Sequence, residues 1–180
     1  LKRREALSVE MRNVPGDEQK TVVGKILTHV RARLVGAAFD ATGMGWTVAE
    51  DMGRKFGLRE TPDGSGLIMP IKFSEEWYRL EMPPLKTAFE DDMIAIAPDS
   101  DHLSDLRLVK LVRGVARVPD IRTGEKGKRR HGDYAISLAL AHYASRMPWS
   151  EYGYRTASSA AGRTGSTGAG RMFDTGGRGW

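Results

Sequence analysis

Residues 6–12 alternate, with Leu7, Val9 and Met11 on one side and Ser8, Glu10 and Arg12 on the other, the period of a strand with one buried face. Pro15 and Gly16 end it, and Asp17 is the expected N-cap of a helix to about Arg33. Val22, Val23, Ile26, Leu27 and Val30 recur there at helical spacing, an apolar stripe that predicts packing on a sheet. Leu34 to Phe39 is an uninterrupted apolar run, as in a strand covered on both faces, and Asp40 follows at once. Gly43 and Gly45 turn the chain into a helix with Val48, Met52 and Phe56 four apart, ended by Gly57.

Glu60 to Gly66 has the composition of a loop, and Leu67 to Phe73 reads as a further strand. Ser74 caps the next helix, which Pro83-Pro84 should interrupt or kink before Leu85, Ala88 and Phe89 resume it. Met93 to Ala97 predicts a short strand and Asp99 to about Leu111 a helix. The alternation from Val112 to Val118 predicts one strand with Val112, Ala116 and Val118 on one face and Arg113 with Arg117 on the other. A polar loop, Asp120 to Gly132, leads into a helix from Asp133 to about Ser145 that is apolar nearly all round and so belongs inside the domain. Beyond Pro148 the last thirty residues hold eight Gly among Ser, Thr and Arg without periodicity, which predicts a flexible tail over 151–180 after a single α/β domain over 1–150.

With 180 residues and 40% hydrophobic side chains, the chain can bury one proper core. It opens with Leu, which reads as a fragment of something longer, and it shows neither a signal peptide nor a bilayer-length apolar stretch, so no membrane association is expected. Cys is absent, which removes thiolate nucleophiles and Cys-based zinc sites. Any metal site must use carboxylates and His. The net charge of +5 suits a polyanionic partner, and its distribution is uneven. From Arg107 to Arg130 there are nine Lys or Arg, opposed only by Asp120 and Glu125.

Asp40, ending an apolar strand, and Asp133, opening an apolar helix, are the candidate chemical pair. Open α/β folds place their sites at sheet ends, and Mg²⁺ or Mn²⁺ takes oxygen ligands from converging carboxylates. Taken alone, Asp133 also fits an ordinary helix N-cap, and Asp40 a turn residue. The spacing of a Walker A loop is absent, and His29 and His142 show no metal-ligand spacing. Trp46, Trp77, Tyr78 and Trp149 are read as core or domain-edge residues.

Phe39-Asp40-Ala41-Thr42-Gly43-Met44-Gly45, Phe89-Glu90-Asp91, and His131-Gly132-Asp133-Tyr134-Ala135 opening an Ala/Leu-rich helix resemble the large terminase subunits of Mu-like phages, over about residues 1–146. The resemblance implies the C-terminal nuclease domain of a DNA-packaging motor, an RNase H-like mixed sheet flanked by helices. It implies catalysis by three acidic residues on Mg²⁺ or Mn²⁺, two ions in the complete site. Asp40 resembles the second acidic residue and Asp133 the third, with His131 beside it as a supporting or proton-handling group. The first would lie on a strand before the one holding Leu7, outside this sequence. Arg113, Arg117, Lys126, Lys128, Arg129 and Arg130 would then guide double-stranded DNA through its phosphates. The resemblance also implies the phage portal and the small terminase subunit as partners, in the host cytoplasm and transiently at the procapsid portal.

Two other readings fit parts of the sequence. One is a non-enzymatic DNA-clamping or portal-docking module, which accounts for the charge and the tail. The other is a nucleotide- or S-adenosylmethionine-binding methyltransferase fragment, on the strength of Asp40-Ala-Thr-Gly43-Met-Gly45 after a strand.

Overall fold

Short apolar runs separated by amphipathic ones produce an alternation of strands and helices. A computed structural model describes residues 3–11, 13–43, 45–61, 63–119 and 132–148. Along the chain these form β1 (Arg4–Ala6), α1 (Gly16–Val30), β2 (Ala37–Asp40), α2 (Gly45–Phe56), β3 (Ile68–Ile71) and α3 (Glu75–Glu90). They continue with β4 (Ile94–Ile96), α4 (Ser100–Arg107), β5 (Lys110–Val112), β6 (Val115–Arg117) and α5 (Asp133–Ala144). The architecture is mixed α/β.

The pairing of β2 with β3 positions the site. The strands run parallel with Asp40 opposite Ile71, and the crossover that a parallel pair requires is α2. Alternate side chains reach opposite faces. Ala37, Phe39 and Ile68 pack with Leu27, Met52 and Phe56 from α1 and α2, while Ala38, Met69 and Ile71 pack with Leu140 and Ala144 of α5. The other side of α5, through Leu138 and Ala139, joins Met82 and Leu85 of α3 and Ile94 of β4. An all-round apolar helix is therefore central, as its sequence predicts. Among the described residues the remaining pairings are β1 parallel to β4 and the antiparallel hairpin β5–β6.

Several expectations are corrected. Residues 7–11 of the alternating segment are not in a strand: β1 ends at Ala6, and Leu7 (93% exposed) and Val9 (67%) face solvent, because the described pairing with β4 stops there. Alternation marks a strand only where a sheet exists to receive it. Residues 112–118 are not one strand either. Arg113 (φ +52°) and Gly114 (φ +80°) form a two-residue turn with both central φ positive, the turn that suits a tight hairpin, so Arg113 and Arg117 do not share a strand face.

The expected helix 99–111 ends at Arg107, its N-cap Asp99 accepting from the backbone N–H groups of Asp101 (2.7 Å) and His102 (3.2 Å). Asp17 lies in the first turn of α1, and Pro15 occupies its N-cap. Helix α3 runs through Pro83-Pro84 as one element after its Ser74 cap. The two carbonyls deprived of donors belong to Arg79 and Leu80, both exposed, where water can satisfy them. The basic loop 120–131 and the expected tail 151–180 lie outside the described residues.

His142 is buried in α5, and its pKa is pushed down to about 4, first by burial and then by the charges of Arg146 and Arg4. The folded chain thus holds it neutral where the unfolded chain binds a proton. Its depressed pKa leaves stability intact above about pH 6.5 and removes it as the pH falls toward 4, by on the order of 3 kcal/mol in full. Urea midpoints at pH 7 and pH 5 should therefore differ less in His142→Met than in the unsubstituted chain. An unchanged difference would assign the acid sensitivity to other groups.

Candidate functional site

Asp40 is the last residue of β2, and the chain must leave the sheet there through a tight turn. Asp40 Oδ1 accepts the Thr42 N–H at 2.7 Å, which fixes the carboxylate beside the strand end. Gly43 has φ +60°, and a Cβ on Gly45 would lie 2.2 Å from the Asp40 carbonyl oxygen. The space beside Gly45 is filled by the chain itself. The glycines here serve the turn that presents Asp40, which does not favour the cofactor-approach role of the methyltransferase reading.

Asp133 occupies the first turn of α5, and Gly132 is the N-cap, in the left-handed region at φ +75°. A Cβ there would come within 2.6 Å of Val118 Cγ1, so both backbone and packing call for glycine. Gly132 offers no side chain to cap the helix. Asp105 of α4, 1% exposed, does so from outside, its Oδ2 accepting the Tyr134 N–H at 3.1 Å. His102 stacks on the Tyr134 ring at 3.8 Å between centroids. The first turn of α5 is thereby held by α4, and the exposed Asp133 is spared the capping role that its sequence position also allowed.

Asp40 and Asp133 line one groove of about 1150 Å³. Its walls come from the stretch 33–40 and from α5, with Phe73, Tyr78 and Arg117 completing the rim. Folding therefore brings the predicted pair to a common solvent-facing cavity. Of the predicted cationic residues, Arg117 joins the groove, and its Nε is shielded from solvent without a hydrogen-bond partner. Arg113 sits at the tip of the hairpin. Lys126, Lys128, Arg129, Arg130 and His131 lie outside the described residues.

Among the described residues no three His, Asp or Glu side chains gather as a metal cluster. Two exposed carboxylates on one groove still suit a hard divalent ion, since Mg²⁺ keeps several waters and is held by one or two carboxylates together with substrate phosphate oxygens. Asp40 and Asp133 are the residues that would hold it. Sequence reasoning missed Asp105 and Arg33. Asp105 lies in the polar string Ser-Asp-His-Leu-Ser-Asp, where nothing marks it as buried; Arg33 precedes the apolar run of β2, and that placement was its only signal.

The chain is 39% identical over 149 residues to "Probable terminase, large subunit gp28" of Escherichia phage Mu, a match covering 82% of this chain and 26% of that protein. The chain is a sequence relative of the phage Mu terminase large subunit. It is also 32% identical over 148 residues to "Mu-like prophage FluMu protein gp28" of Haemophilus influenzae, covering 82% of this chain and 28% of the relative. The chain thus spans only about a quarter of the length of these relatives. No protein-family model and no solved structure matches it. No helix among the described residues is long and apolar enough to cross a membrane.

Proposed function

We propose that this chain carries the nuclease function of a phage DNA-packaging terminase: divalent-metal-dependent, sequence-nonspecific cleavage of double-stranded DNA on an RNase H-like domain. The observation that carries the reading is that Asp40 and Asp133, far apart in sequence, both line one groove. The relationship to the Mu large terminase supports the packaging context, and with it double-stranded DNA, the portal and the small terminase subunit as partners in the host cytoplasm.

In this reading Asp40 and Asp133 hold Mg²⁺ or Mn²⁺, as part of a site for two ions. The bound metal supplies activation of water and charge neutralisation at the phosphate. Thr42 keeps Asp40 oriented through its backbone N–H. Arg117, with a buried Nε lacking a partner, contributes positive charge where the phosphate enters. By the resemblance, His131, two residues before Asp133 in the sequence, would take the supporting or proton-handling role.

Incubation of the chain with supercoiled plasmid and millimolar Mn²⁺ or Mg²⁺ should yield nicked and linear DNA, and EDTA should stop it. Plasmid left intact across both metals would leave the DNA-holding module as the better reading. Cleavage that ignores EDTA would remove the metal from the proposal.

A further inference from the structure

The groove extends well beyond its two aspartates. The Gly36 Cβ position lies 3.8 Å from the Ala144 carbonyl oxygen, and the groove runs on from there to Asp40 and Thr42 on one wall and to Asp133 on the other. Helix α5 therefore runs antiparallel to β2, and its carboxyl end lies beside the start of the strand. From Leu34, where the chain leaves the 3-10 turn that ends at Arg33, to Asp40 an extended chain covers about 20 Å. From residue 133 to residue 145 a helix covers about 18 Å. Both walls give the same length, with Asp40 and Asp133 at one end and Arg33 and Ser145 at the other.

The far end is cationic and uncompensated. Arg33 is exposed and has no carboxylate partner among the described residues. Arg4 is brought to the same end by its Nη1, which donates to the groove-lining Ser145 Oγ at 2.6 Å, and it likewise has no carboxylate partner among the described residues. Elsewhere Arg3, Lys20, Arg54, Arg79, Lys86 and Arg146 all pair with Asp or Glu. Two guanidinium groups without a carboxylate partner among the described residues, at one end of a groove, suit an anionic ligand laid along it.

We propose that Arg33, with Arg4 beside it, forms a second phosphate-holding subsite that anchors the DNA backbone about 20 Å from the cleaved bond. The inference rests on the nuclease reading for what lies at the acidic end. It concerns backbone charge, with no base readout.

The test is fluorescence anisotropy of this chain on a 30-base-pair duplex in EDTA over a range of NaCl. Arg33→Gln should weaken binding about 3- to 10-fold at low salt and reduce the slope of log K against log salt by about one. Arg33→Lys should restore most of the affinity, Arg4→Gln should act in the same direction, and Arg79→Gln, at an exposed cation paired with Glu75 and not lining the groove, should leave the affinity nearly unchanged. Unchanged affinity and slope in Arg33→Gln, with the unsubstituted chain cleaving plasmid, would overturn this subsite and leave the nuclease standing. Reduced affinity and slope, with no metal-dependent cleavage by the unsubstituted chain, would instead support the phosphate subsite and remove the nuclease reading. On an end-labelled duplex, cuts so close to one end that no phosphate reaches the distal subsite should be depleted, and Arg33→Gln should even out the pattern. A pattern that is uniform before substitution would refute a distal anchor.

Discussion

Asp133→Asn is expected to lower Mn²⁺-dependent plasmid cleavage by on the order of 100-fold or more while leaving the fold nearly as stable. The substitution keeps the size of the side chain and removes the charge a divalent ion requires. Because Asp133 is exposed and Gly132 and Asp105 manage the start of α5, the fold loses only the favourable placement of an acid near a helix N-terminus, about 0.3–1 kcal/mol. Asp40→Asn should behave alike, since its amide oxygen can still accept the Thr42 N–H. If both aspartates serve one bound ion, the double variant should be scarcely worse than either single one. Activity within about threefold of the unsubstituted chain, measured beside a thermal melt, would sink the assignment of Asp133.

Gly45→Ala should be nearly as damaging by a different route. The new Cβ would meet the Asp40 carbonyl oxygen at 2.2 Å, and a backbone atom cannot rotate out of the way. Relief requires a shift of the strand end that carries the metal-holding carboxylate. Overpacking of this kind costs about 1–3 kcal/mol, or several degrees in Tm for a chain of this size. Cleavage should fall by about tenfold or more even at temperatures where the variant is folded, because small displacements of reacting groups are expensive. Gly43→Ala is the control: a Cβ there meets nothing within 4 Å, and the penalty is confined to its φ of +60°. It should lose stability with little loss of rate. Equal rate losses in the two variants, at matched folded fraction, would show that Gly45 has no special bearing on Asp40.

Where the sequence was informative, the reason is periodicity backed by a partner. Helices α1, α2 and α5 and strands β2 and β3 each carry an apolar pattern that a neighbouring element buries, and each stands close to where its pattern puts it. The same logic explains the misses. Leu7, Val9 and Met11 alternate as well as any strand does, yet Leu7 and Val9 point to water because the described pairing stops at Ala6. The hairpin β5–β6 hid in a plausible single strand because its turn needs only Arg113-Gly114. At the site, Asp40 and Asp133 were legible from their places at element ends. The buried Asp105 was not, since burial of a carboxylate on a polar helix depends on what packs over it.

The bond from the Tyr134 amide to Asp105 changes how the acidic end of the groove can breathe. A helix terminus ordinarily unravels a turn at a time, independently of its neighbours. Here the opening turn of α5 cannot loosen unless α4 lets go of it, so motions of Asp133 are coupled to undocking of a helix that touches neither metal nor DNA in the proposed site. A lesion in α4 would thus present as a defect in cutting, and a search confined to groove residues would overlook it.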